Sequence, residues 1–157
     1  MELGTILVVE DCSDDVFFLR RALKKALISN PVQVAVDGQE AIDYLAGTHK
    51  YTNRVEFPLP CLIFLDLKLP RLDGFDVLAW LRQQPGLSAI PVVILSSSSE
   101  ERDRKRASEL GVWTYLVKPP DETMMRQLFQ SVAENKKPFI GLQPVAPLQW
   151  AGNRLVT

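Results

Sequence analysis

Cysteine and histidine are nearly absent from this 157-residue chain, which holds two cysteines, Cys12 and Cys61, and a single histidine, His49. Two cysteines make no disulfide framework, and this pair lacks metal-ligand spacing. Both read as small packing residues. His49 lies in a polar loop with no second ligand beside it and reads as solvated. Long hydrophobic runs are missing as well. No stretch approaches the ~20 apolar residues that span a bilayer, and the start, Met1-Glu-Leu-Gly4, lacks a basic signal segment. The expected location is cytoplasmic, with no membrane partner. Neither sign of charge is in excess. Eighteen basic and 19 acidic residues leave −1, so no global field draws the chain to nucleic acid.

Hydrophobic residues make up 46% and charged residues 24%, the balance of a globular protein with one sizeable core. Strand-like and helix-like segments alternate. Continuous apolar runs at 5–9, 32–36, 61–65, 91–95 and 113–117 read as buried strands. A helix over 14–27 carries Val16, Leu19, Leu23 and Ala26 on one face and Arg20, Arg21, Lys24 and Lys25 on the other. Ser13 is its expected N-cap, with Asp14 and Asp15 suiting the dipole of the first turn. Asp37-Gly-Gln-Glu40 has capping-box spacing for a second helix ending near 46, and a long polar connection follows over 47–60. A third helix spans 74–82. Ser98 and Glu101 cap a charged fourth that stops near Gly111, and a fifth covers 121–135. Five strands alternating with five helices predict an α/β fold with a doubly wound, five-stranded parallel sheet, whose ligands sit outside the carboxyl ends of the strands.

Those ends carry the chemistry. The first strand runs into Glu10-Asp11, the third into Asp66, the fourth into Ser96 and the fifth into Lys118-Pro119. A carboxylate at the end of a buried strand is costly unless something charged meets it. Singly, each group has a plain explanation. Asp11 or Asp14 can cap a helix, Asp73-Gly74 is a turn, Lys118 can snorkel, and four consecutive serines make a loop. Together at one end of one sheet they make a phosphoryl-transfer site with a hard cation.

The chain resembles the receiver domain of two-component response regulators. The matching residues are Val8-Val-Glu-Asp11, Leu65-Asp66 with Pro70 and Asp73-Gly74, Pro91 with Ser96, and Tyr115 through Lys118-Pro119. The resemblance covers about residues 4–136. Asp14-Asp15, Pro58-Leu-Pro60 and Asp66-Leu-Lys-Leu-Pro70 are most similar to small stand-alone regulators of phytochrome-type histidine kinases. It implies a flavodoxin-like sheet of order 2-1-3-4-5 and phosphoryl acceptance on Asp66 from a sensor histidine kinase. It also implies Mg²⁺ held by Asp11 and Asp66 directly, by Glu10 through water and by the Lys68 carbonyl. Lys118 would pair with Asp66 at rest and with a phosphoryl oxygen afterwards, Ser96 would donate to another, and Tyr115 would be the switch aromatic. The Lys118-Pro119 bond is expected to be cis. The chain would be no enzyme beyond its own phosphorylation and dephosphorylation.

Two departures stand out. Glu10 replaces the commoner Asp, and Lys68 puts a mobile cation two residues past the acceptor. Other functions of this fold fit less well. An FMN binder needs a Ser/Thr/Gly-rich phosphate loop where this chain has Glu10-Asp-Cys-Ser-Asp-Asp15. An aspartyl phosphatase of the haloacid dehalogenase type needs a second Asp where Lys68 stands. A kinase-independent interaction module has no need of all five site residues. The expected organisation is a receiver over 1–137 and a C-terminal extension over 138–157, too short for a DNA-binding output domain. Phe139, Ile140, Leu142 and Trp150 make that extension apolar. The expectation is that it packs on the last two helices, where Ala107 and Leu110 interrupt the charge, within a homodimer. Signalling would then pass to a downstream protein target.

Overall fold

The structure, a computed structural model, describes residues 4–138. Strands β1 (Ile6–Val9), β2 (Val32–Ala35), β3 (Leu62–Leu65), β4 (Val92–Ser96) and β5 (Thr114–Val117) alternate with five helices. These are α1 (Ser13–Lys25), α2 (Gly38–Ala46), α3 (Gly74–Arg82), α4 (Glu101–Glu109) and α5 (Glu122–Ala133). The sheet has the order β2-β1-β3-β4-β5, with every pair parallel. The order reverses between β1 and β3, which places the switch-point crevice between the ends of those strands.

The pleat sorts the core into two layers, because successive side chains on a strand point to opposite faces. Leu7, Val9, Ile63, Leu65, Val92 and Ile94 pack against Tyr44 and Leu45 of α2, Leu78 and Leu81 of α3 and Ala107 of α4. Ile6, Val8, Leu62, Phe64, Val93 and Leu95 pack against Leu19 and Leu23 of α1 and Met125 and Leu128 of α5. Each central strand is buried along its whole length, as its unbroken apolar run implies.

Several local expectations are corrected. Cys12, not Ser13, occupies the N-cap of α1, and no side chain caps that helix. Asp37, Asp73 and Asp121 do cap theirs, and the reciprocal capping box belongs to Asp73 and Asp76. Ser98 does not cap α4; Glu100 occupies the N-cap, and its side chain makes no capping bond. Strand β4 extends to Ser96, while β5 begins only at Thr114. Trp113 leaves the strand and donates its indole N–H to Ser131 Oγ of α5 at 2.9 Å. Both cysteines are exposed rather than packed: Cys12 at a helix cap, Cys61 ahead of its strand. His49 is exposed as expected, although it opens a short 3₁₀ helix (His49–Tyr51) rather than lying in a loop.

Ala107 and Leu110 do not form an outer patch. Ala107 is fully buried and Leu110 packs on the same core, so helical periodicity turns this pair inward. The connection over 47–60 is tied down rather than loose. The Arg54 guanidinium donates to the carbonyls of Tyr44, Leu45 and Phe57, and the Tyr44 hydroxyl donates to that of Pro58. Gly111 follows α4 with φ +76°, the left-handed conformation expected of a glycine closing a helix.

Candidate functional site

Glu10 and Asp66 each continue their strand by one ladder bond: Glu10 N–H donates to Ala35 and Asp66 N–H to Val9. Lys118 does the same to Ser96. By strand parity Glu10 follows Val8, Asp66 follows Phe64 and Lys118 follows Leu116, all on the layer of α1 and α5. The three side chains therefore meet above that layer. Lys118 Nζ donates to Glu10 Oε1 at 2.6 Å, Asp15 Oδ2 at 2.8 Å and Asp66 Oδ2 at 3.1 Å. The other oxygen of Asp66, Oδ1, accepts from Leu67 N–H at 2.7 Å. The turn after Asp66 folds back so closely that a Cβ on Gly74 would stand 2.2 Å from the Asp66 carbonyl oxygen. Only glycine fits there.

Glu10 and Asp66 are buried, at 6% and 8% exposure, while Asp11 is exposed. Carboxylate oxygens of Glu10, Asp11 and Asp66 all lie within 4.8 Å of one another. Burial, reinforced by the charge of Asp66, pushes the Glu10 carboxyl up to about 7 against the lowering effect of Lys118. Burial alone would lower Lys118. Its bonds to Asp15 and Glu10, with the charge of Asp66, outweigh burial and raise it, so the ammonium stays charged. Three carboxylates around one ammonium leave negative charge in excess. An all-oxygen donor set with excess negative charge suits a hard divalent cation, so the residues present fit the metal implied by the resemblance.

Ser96 has the opposite parity. It follows Ile94 on the layer of α2, α3 and α4, and it is fully buried. Its Oγ accepts from Ser98 N–H at 3.1 Å. Tyr115 is also buried on this layer, with its hydroxyl donating to the Ser98 carbonyl at 2.8 Å. The Arg104 guanidinium of α4 covers its ring at 4.9 Å. Ser98 Oγ donates to Asp103 Oδ2 at 2.6 Å in the first turn of α4 and accepts from Glu100 N–H. Lys68 is exposed and lines an open groove with Asp73, Phe75, Arg102, Asp103 and Arg106. The Lys118-Pro119 bond is cis, as the resemblance implies.

Two contributors escaped the sequence reading. By sequence Asp15 suits the dipole of the first turn, yet it accepts a bond from Lys118. The signal was its spacing: it stands four residues before Leu19, on the helix face that meets the sheet. Ser98, a helix cap by its spacing, instead joins Ser96, Tyr115 and α4. Nothing in a run of four serines distinguishes it.

Residues 6–130 match the family described as response regulator receiver domain. The chain belongs to that family. Response regulator Rcp1 of Synechocystis sp. is 39% identical to this receiver over 127 residues, covering 81% of this chain and 82% of Rcp1. The solved bacteriophytochrome response regulator AtBRR is 41% identical with a TM-score of 0.74, covering 92% of this chain and 100% of that one. The Mn²⁺-bound form of Rcp1 superposes with a TM-score of 0.69 at 33% identity, over 90% of this chain and 99% of that one. Receiver domains act as signalling modules that take a phosphoryl group from histidine kinases and bind a divalent metal. No described helix is long and apolar enough to cross a membrane.

Proposed function

We propose that this receiver accepts a phosphoryl group on Asp66 from the phosphohistidine of a phytochrome-type sensor kinase, in a light-sensing pathway. The convergence of Glu10, Asp11, Asp66 and Lys118 in the switch-point crevice is the observation that carries the reading. An Asp66 carboxylate oxygen attacks phosphorus, the P–N bond breaks, and the imidazole leaves with the electron pair. Lys118 remains charged to neutralise a phosphoryl oxygen, and Ser96 donates its hydroxyl to another. Asp11, Asp66 and the Lys68 carbonyl, with Glu10 through a water, would hold Mg²⁺, which would supply the remaining charge neutralisation. Tyr115 and Ser96, already joined through Ser98 to α4, convey the change outward. The likeness to AtBRR and Rcp1 supports the phytochrome assignment.

Output passes to a downstream protein target and through a homodimer. Exposed Glu101, Arg102, Lys105 and Glu109 give α4 a mixed-sign face that can complement its own copy, as an isologous contact requires. The extension from Phe139 to Trp150 lies outside the described residues, and deletion after Lys137 tests its part in assembly. Size exclusion of the truncated chain should show a weaker dimer with Asp66 phosphorylation intact. The chemistry is tested with acetyl phosphate and Mg²⁺, read by intact mass. One phosphoryl adduct is expected, and it should vanish with chelator and in Asp66→Asn. Strong labelling of the Asn variant sinks the assignment.

A further inference from the structure

An ammonium has three donors, and all three of Lys118 are taken: by Glu10, Asp15 and Asp66. A phosphoryl oxygen on Asp66 can bond Lys118 only if one acceptor lets go. Phosphorylation turns the Asp66 carboxylate into an acyl phosphate, removing the carboxylate's charge and with it part of its hold on Lys118. Glu10 groups its carboxylate oxygen with those of Asp11 and Asp66, and a cation held there would compete for its charge. Asp15 lies outside that group, its side chain 36% exposed, and it binds nothing else among the described residues. It is the one anion left in competition with the phosphoryl group for Lys118. We propose that Asp15 is a positioning residue that holds Lys118 toward α1 in the resting receiver and so restrains phosphorylation of Asp66.

This inference rests on the phosphoacceptor reading above but has its own observable. Asp15→Asn keeps an acceptor oxygen at nearly the same place and removes the charge. In the unphosphorylated protein, the ¹⁵N–¹H signal of the Lys118 ammonium, identified by its loss in Lys118→Met, should shift and exchange faster with water. With acetyl phosphate and Mg²⁺, the initial rate of adduct formation should rise about two- to fivefold, the range open to a half-exposed ion pair. Asp15→Glu should return the rate to the wild-type value. Asp15→Ser, which also lacks the charge, should behave as Asn does and serves if the Asn variant folds poorly. An unchanged ammonium signal, or a rate equal to or below wild type in both uncharged variants, overturns the proposal. If wild-type Asp66 takes no label at all, the phosphoacceptor reading fails, and the ammonium signal still decides whether Asp15 holds Lys118.

Discussion

The two faces of the sheet's carboxyl edge are built from different chemistry. Toward α1 and α5, buried Glu10 and Asp66, partly buried Lys118 and more exposed Asp15 form a charged knot. Toward α4, Ser96, Ser98 and Tyr115 form a neutral chain of hydroxyls and carbonyls that ends at Asp103 and Arg104. The charged side has excess anion and can stabilise a cation and a phosphoryl group. The neutral side has weak, exchangeable bonds and can change partners at low cost. One face suits chemistry, the other suits relay. Their separation follows from parity alone, since Asp66 and Ser96 end strands on opposite pleats.

The largest expected effect falls on the charged side. Lys118→Met leaves three carboxylates around no cation, and removing one partner of a buried pair costs about 3–5 kcal/mol. Urea denaturation at pH 8 without divalent metal measures it. A loss below ~1 kcal/mol would erase the contrast between the two faces.

A smaller effect should come from Glu10, and its sign is opposite. The folded carboxyl titrates near 7, above its unfolded value of 4.5, so the folded state holds the extra proton between them. Stability therefore falls as pH rises from 4.5 through 7. Glu10→Gln should remove that loss, raising stability at pH 8 by at least about 1 kcal/mol while changing little at pH 4.5. Chemical denaturation at the two pH values checks it; an equal gain at both would mean that the carboxyl is not held up by burial.

On the neutral side, Tyr115→Phe removes one hydroxyl bond and should cost about 0.5–1.5 kcal/mol at any pH from 5 to 8. A pH-dependent loss would tie this face to the charged one. Ser98→Ala should be the mildest, a few tenths to ~1 kcal/mol. Its mark is local: hydrogen exchange of the Glu100 amide and the first turn of α4 should quicken while β1 and β3 keep their protection.

Much of this was legible in the chain. Continuous apolar runs at β1, β3 and β4 mark buried parallel strands, and the polar residue ending each run, Glu10, Asp66 or Ser96, names the site end of the sheet. The cap at Asp37 and the glycine at 111 are local, so they too could be read. The failures share a cause. Cys12 in place of Ser13 at a cap, the exposed cysteines and the inward turn of Ala107 and Leu110 depend on which way an element rotates against its neighbours. Composition does not encode that rotation.

The sequence by itself determined the alternation of elements, the parallel sheet and the acid, hydroxyl and lysine at the strand ends. Each of these is a property of one segment and its period. Only the tertiary structure decided that Asp15 joins Lys118 and that Ser98 joins Ser96 to Tyr115. Asp15 and Lys118 are 103 residues apart in the chain, and their contact exists only because α1 packs beside the end of β5's connection. It also decided the charge state of Glu10, since desolvation is set by the surrounding fold and not by the residue itself.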